Sequence, residues 1–104
     1  MQEQRDITYY LPDVSTTTRL AGFFSLFADS SRLRLLSALA LCNMRVTDIA
    51  SALEMNQTTV SHQLKLLRTM GAVTYKRQGK ELFYSLADNK INEVLLLGVE
   101  YLGY

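Results

Sequence analysis

Thr58, Ser61, His62 and Lys65 stand at i, i+3, i+4 and i+7, so on a helix they share one face. Each carries a hydrogen-bonding group and none is acidic. Val60, Leu64 and Leu67 form a narrow apolar stripe on the opposite side of the same wheel. A helix that buries such a stripe and presents donors and acceptors without a carboxylate is suited to reading base edges in a DNA major groove. Ordinary solvated faces mix Glu with Lys, whereas residues 57–70 contain no acid. Gln57 and Gln63 adjoin the row and extend its hydrogen-bonding capacity. A second group, Lys76, Arg77, Gln78 and Lys80, surrounds Gly79 and has the chemistry of phosphate and minor-groove contact. The formal net charge of the 104-residue chain is only +1, but it is unevenly spread. From Asn56 to Lys80 lie Lys65, Arg68, Lys76, Arg77 and Lys80 with no acid, while Glu81, Asp88, Glu93 and Glu100 face only Lys90 thereafter. A local basic patch of this kind is the footprint of phosphate binding.

The elements that must position these residues follow from periodicity and caps. Residues 1–14 read as an N-terminal arm, broken at Pro12 and Asp13 but carrying the adhesive Ile7, Tyr9, Tyr10 and Leu11. Residues 15–104 read as one domain. Ser15, Thr16 and Thr17 offer a helix start, and Leu20, Phe23, Phe24 and Phe27 follow at helical spacing. Asp29, Ser30 and Ser31 offer caps for a second helix, with Leu35, Leu36 and Leu39 inward and an end near Cys42 and Asn43. Thr47 is expected to cap a short third helix bearing Ile49, Ala50 and Leu53, and from that cap it can touch phosphate. After a turn at Glu54, Met55 and Asn56, Asn56 caps the helix of the Thr58 row, which Gly71 stops. Two short helices around a tight turn form a helix-turn-helix candidate. The period then changes to two. Val73 and Tyr75, then Leu82 to Leu86, predict a hairpin whose tip is the basic group around Gly79. Asp88 or Asn89 caps a last helix carrying Ile91, Val94, Leu95 and Leu102. The fold class is mainly α with a small β-hairpin, in the order four helices, two strands, one helix.

Several function classes are excluded. One His and one Cys, with no nucleophile triad and no phosphate loop, leave no credible catalytic group, so the chain is not an enzyme. No cofactor is implied. A single cysteine, Cys42, cannot form an internal disulfide; at the end of an apolar helix it reads as a buried small hydrophobe. The N-terminus lacks an apolar signal core and no stretch spans a bilayer, so the expected setting is cytoplasmic, with no membrane partner. Asp88, Glu93 and Glu100 read as a solvated acidic face. The alternative to DNA binding is a winged helix used as a protein-interaction module, which would lack salt-dependent DNA binding.

FADSSRLRLLSAL, VTDIASAL, NQTTVSHQLKLLRTMGAV and YKRQGKELFYSL together resemble the arsenic-repressor (ArsR/SmtB-type) family, from about Leu20 to about Tyr101. The resemblance implies a winged helix-turn-helix whose wing is the basic hairpin. It implies a homodimer through the first and last helices, here Leu20, Phe23, Phe24, Phe27, Ile91, Leu95 and Leu102. It also implies repression from double-stranded operator DNA of near-palindromic sequence. Many members release DNA on binding metal. The Cys-Val-Cys ligand motif of one common site falls here on Arg45, Val46 and Thr47. The Asp and His ligands of the other fall on Asp88, Lys90, Tyr101 and Tyr104, where Asp88 alone is kept. The expectation is therefore a repressor without either common metal site, its inducer non-metal or absent. A metal response through some non-standard site is the alternative.

Overall fold

The computed structural model describes residues 11–104; most of the expected arm, residues 1–10, lies outside the described residues. The elements are helices α1 (Val14–Ser25), α2 (Ser30–Leu41), α3 (Val46–Leu53) and α4 (Gln57–Thr69), strands β1 (Val73–Gln78) and β2 (Glu81–Leu86), and helix α5 (Asn89–Leu102).

Each helix starts where a side chain takes up its free N–H groups. The Asp13 carboxylate accepts from the Thr16 N–H at 2.7 Å, so α1 begins ahead of the expected Ser15–Thr17 start and includes Val14. Asp29 caps α2 by accepting from the Arg32 N–H at 3.1 Å. The expected cap of α3 is corrected: Arg45, not Thr47, is the cap residue, and Thr47 lies in the first turn. The reason is Asp48, which reaches back to accept the Arg45 backbone N–H at 3.1 Å and so fixes the start two residues earlier. Asn56 caps α4 as expected, accepting from the Thr58 N–H at 2.7 Å. Between α3 and α4, the Met55 N–H reaches the Ala50 carbonyl at 2.9 Å and the Glu54 N–H reaches that of Ser51 at 3.3 Å. This pairing puts Glu54 in the left-handed region (φ 53), which sharpens the turn between the two helices. Gly71 (φ 79) ends α4 in the same way, with the Ala72 N–H on the Leu67 carbonyl at 2.8 Å.

The core draws on every element except α1, which has no buried residue and contributes only half-buried Phe23. Leu35 and Leu36 of α2, Ile49 of α3, and Val60, Leu64 and Leu67 of α4 are fully buried. Leu26, Leu39, Ala50, Ala72, Val73, Tyr84 and Ile91 complete it. Burial of one such aliphatic side chain is worth about 1.5–3 kcal/mol, so the α4 stripe alone anchors that helix firmly.

Two expectations about burial are corrected. Cys42 is exposed, because it lies past the last turn of α2 in extended backbone (φ −166, ψ 164), beyond the reach of the inward Leu stripe. Ile91, expected in a dimer interface, is 4% exposed and belongs to the protomer's own core. Leu102 lies on the same stripe of α5 yet is 69% exposed. At about 1.5 Å per residue α5 outruns the globule, and its apolar face emerges from the core toward its C-terminal end.

Strands β1 and β2 pair antiparallel from Val73↔Leu86 to Gln78↔Glu81, leaving Gly79 and Lys80 as a two-residue turn. Gly79 at φ 65 supplies the positive φ that such a hairpin turn needs at its first central position. Met44 adds a bridge to β2 through N–H···O bonds with Tyr84 of 3.0 and 2.8 Å. The base of the hairpin is thereby fastened to the α2–α3 junction.

Candidate nucleic-acid interface

Burial of Val60, Leu64 and Leu67 dictates where the rest of α4 points. Thr58, Ser61, His62 and Lys65 are all exposed on its outer side. With Gln57 and Val46 they line one shallow open concavity of about 380 Å³. From Thr58 to Lys65 the row spans about 10 Å along the helix axis, or about three base-pair steps of a duplex. A helix of this diameter fits a major groove. Gln63 does not join the row: it is half-buried, and its amide oxygen is enclosed without a hydrogen-bond partner. Thr47, displaced from its expected capping role, remains exposed in the first turn of α3, where a hydroxyl can meet a phosphate.

Lys76, Arg77, Gln78 and Lys80 are all exposed around the hairpin turn. Arg77 pairs across the ladder with Leu82 and Lys76 with Phe83, so successive cations point to opposite faces of the hairpin. Arg68, the remaining cation of the acid-free stretch, has its guanidinium 4.3 Å from the centre of the Tyr75 ring. It thus leans from the end of α4 onto β1.

One residue of the site region escaped sequence reading as a structural part. Arg45 donates from Nε to Asp48 Oδ2 at 3.0 Å, from Nη2 to Asp48 Oδ1 at 3.0 Å, and from Nη1 to Glu81 Oε2 at 2.7 Å. The Arg45 side chain, and then its backbone N–H, hold the Asp48 carboxyl below the usual carboxylate range. Asp48 and Glu81 in turn push the guanidinium's affinity for its proton further up. The spacing of Arg45 and Asp48 was a readable signal; the partnership with Glu81 was not.

The positions that the family resemblance equates with metal ligands do not fit a metal. Arg45 is a guanidinium committed to two carboxylates, and Val46 and Thr47 bring no thiolate. Asp88 caps α5, accepting from the Lys90 N–H at 2.8 Å, while Lys90, Tyr101 and Tyr104 offer an ammonium and two phenols. Among the described residues no three His, Cys, Asp or Glu side chains gather as a ligand cluster. No helix of the described residues is long and apolar enough to cross a membrane.

A second surface is apolar. Leu20 and Phe24 on α1, and Leu96, Leu97, Val99 and Leu102 on α5, are exposed. Between the two helices and α2 runs a groove of about 470 Å³ bordered by Phe24, Phe27, Leu95 and Leu102 among others. Phe23, Phe27 and Leu95 are half-buried against the protomer's own core. Leu96, Leu97 and Val99 were missed in the sequence because a run of four apolar residues carries no clear period.

Comparison with known proteins agrees with this anatomy. A family model described as bacterial regulatory protein, arsR family, matches residues 29–75, from the cap of α2 into β1. A transcriptional repressor SmtB homolog of Synechocystis sp. is 41% identical over 91 residues, covering 88% of this chain and 69% of the relative. The crystal structure of the AntR antimony-specific transcriptional repressor superposes with a TM-score of 0.81 at 31% identity, covering 96% of this chain and 87% of that one. A homodimeric winged helix-turn-helix DNA-binding domain from Mycobacterium bovis, a possible ArsR-family regulator, gives a TM-score of 0.76 at 28% identity, covering 97% and 89%.

Proposed function

This chain belongs to the arsR family of bacterial regulatory proteins, and we propose that it represses transcription as a homodimer seated on a near-palindromic operator. It is a DNA-binding transcriptional regulator of winged helix-turn-helix fold and not an enzyme. The observation that carries the finer reading is the α4 row. Thr58, Ser61, His62 and Lys65 stand exposed and free of acids on a helix whose opposite face is locked in the core. In this reading α4 is the recognition helix, with Gln57 beside the row. Lys76, Arg77, Gln78 and Lys80 form a wing that grips backbone or minor groove, and Thr47 meets a phosphate. The apolar face of α1 and α5 supports the dimer, because exposed Phe24, Val99 and Leu102 line one groove and form a patch that a lone globule would not leave in water. A two-fold dimer presents two α4 helices to half-sites one helical turn, about 34–36 Å, apart. The donor chemistry at the two metal-ligand positions favours release by a non-metal signal, or constitutive repression.

A titration against the DNA upstream of the protein's own gene, with scrambled DNA as control, tests this reading. Selective binding that zinc, nickel, cobalt and arsenite leave unchanged is expected. Release by any of these metals overturns the metal-independent part, and equal affinity for scrambled DNA overturns the operator reading.

A further inference from the structure

The two ion pairs found among the described residues share one cation, Arg45, and tie α3 to β2. Their placement bears on the wing. Glu81 is the first residue of β2 and follows Lys80 of the turn; Tyr84, where Met44 pins the hairpin by backbone bonds, lies three residues further on. At about 3.3 Å per residue these two attachment points are about 10 Å apart along the strand. The base of the hairpin is also held by buried Val73 and Tyr84 and by half-buried Leu82 and Leu86, so the part left free to twist is the tip around residues 76–81. An attachment at Glu81 restrains that tip. The strut itself is prepared for the task. Asp48 holds the Arg45 fork by Nε and Nη2 at 3.0 Å each, which leaves Nη1 aimed at Glu81 at 2.7 Å. Asp48 is in turn bonded to the Arg45 backbone N–H at the cap of α3, so the chain of contacts starts on the helix-turn-helix and ends on the wing.

We infer that Arg45 is a positioning residue for DNA binding: by bridging Asp48 and Glu81 it sets the wing's angle to α4, so that Lys76, Arg77 and Lys80 meet DNA when the recognition row is seated. The inference rests on the operator-binding reading above. It makes a prediction of opposite sign from simple electrostatics. Glu81 is an acid beside the wing cations, so on charge alone its neutralisation raises DNA affinity. On the positioning account, neutralisation releases the wing and lowers affinity.

The experiment uses the full chain with Glu81→Ala, Arg77→Ala and the double variant, titrated against the same upstream DNA at one salt concentration. Amide hydrogen exchange of residues 76–82 is followed in the free protein. Glu81 is an exposed residue, and its replacement leaves the Arg45–Asp48 pair and the α3 cap in place. Glu81→Ala is expected to bind about five-fold more weakly despite the loss of a negative charge. On that background Arg77→Ala is expected to cost less than about half of what it costs in the wild type, the non-additivity of two residues acting through one wing. Exchange in the hairpin is expected to accelerate. Unchanged or tighter binding by Glu81→Ala, an undiminished Arg77→Ala cost, or unchanged hairpin exchange each overturns the inference. Failure of the wild type to select its upstream DNA would instead sink the operator reading, while the exchange measurement on the free protein still judges the strut.

Discussion

His62→Ala is the most informative single substitution in the recognition row. His62 sits at the middle of that row, exposed, with Thr58 one turn before it and Lys65 three residues after. It contributes nothing to the core stripe of Val60, Leu64 and Leu67, so its removal should leave the melting temperature within a degree or two of wild type. A lost base-edge contact costs about 1–3 kcal/mol. A dimer places two copies of α4 on the operator, so the loss is counted twice. At the low end the total is about 2 kcal/mol, or about thirty-fold in Kd. The assay is fluorescence anisotropy with labelled upstream DNA and scrambled DNA in parallel, at one salt concentration. The cognate duplex should lose affinity while the scrambled one changes little, which narrows the ratio between them. Equal losses on both duplexes would make His62 a backbone contact, and no loss on either would place the recognition face elsewhere.

Arg77→Ala should weaken binding to all duplexes alike and reduce the slope of log K against log salt by about one per protomer, measured as titrations at four salt concentrations. Leu102→Glu, at a residue 69% exposed on the groove side of α5, should leave the protomer folded but convert the dimer to monomer in sedimentation velocity. Without the second half-site, its DNA affinity should fall by about a hundred-fold. Because the Asp48 carboxyl is held low by Arg45, its stabilising contribution is complete above the ordinary carboxylate range and lost as pH falls through the lowered value. Denaturant melts should therefore show Asp48→Asn less stable than wild type at pH 7, with the gap constant between about pH 5 and 8 and closing below about pH 4.

Much of this anatomy is local and was legible in the residues. Asn56 caps α4, Gly71 stops it, and the Val60, Leu64 and Leu67 stripe is buried as its spacing requires. The hairpin turn follows from Gly79, which alone in that stretch adopts a positive φ without steric cost. What escaped depends on contacts between distant parts or on competition between neighbours. Thr47 is a good cap by type, but Asp48 reaching back to Arg45 moved the start of α3. Periodicity places Ile91 and Leu102 on one stripe, yet the extent of the core decides that one is buried and the other exposed. Gln63 looked available by type but turns its amide oxygen inward. Arg45 and Glu81 are 36 residues apart, and only the path of the chain through α3, α4 and β1 brings them together.

The most direct test of the central claim is selection of bound sequences from a random duplex library by the purified wild-type protein. A symmetric dimer with α4 in successive major grooves predicts an enriched near-palindrome with half-site centres about 10–10.5 base pairs apart, each half about three or four base pairs strongly specified. Enrichment of no sequence, or of a single unsymmetrical half-site, would contradict a dimeric repressor reading DNA through Thr58, Ser61, His62 and Lys65.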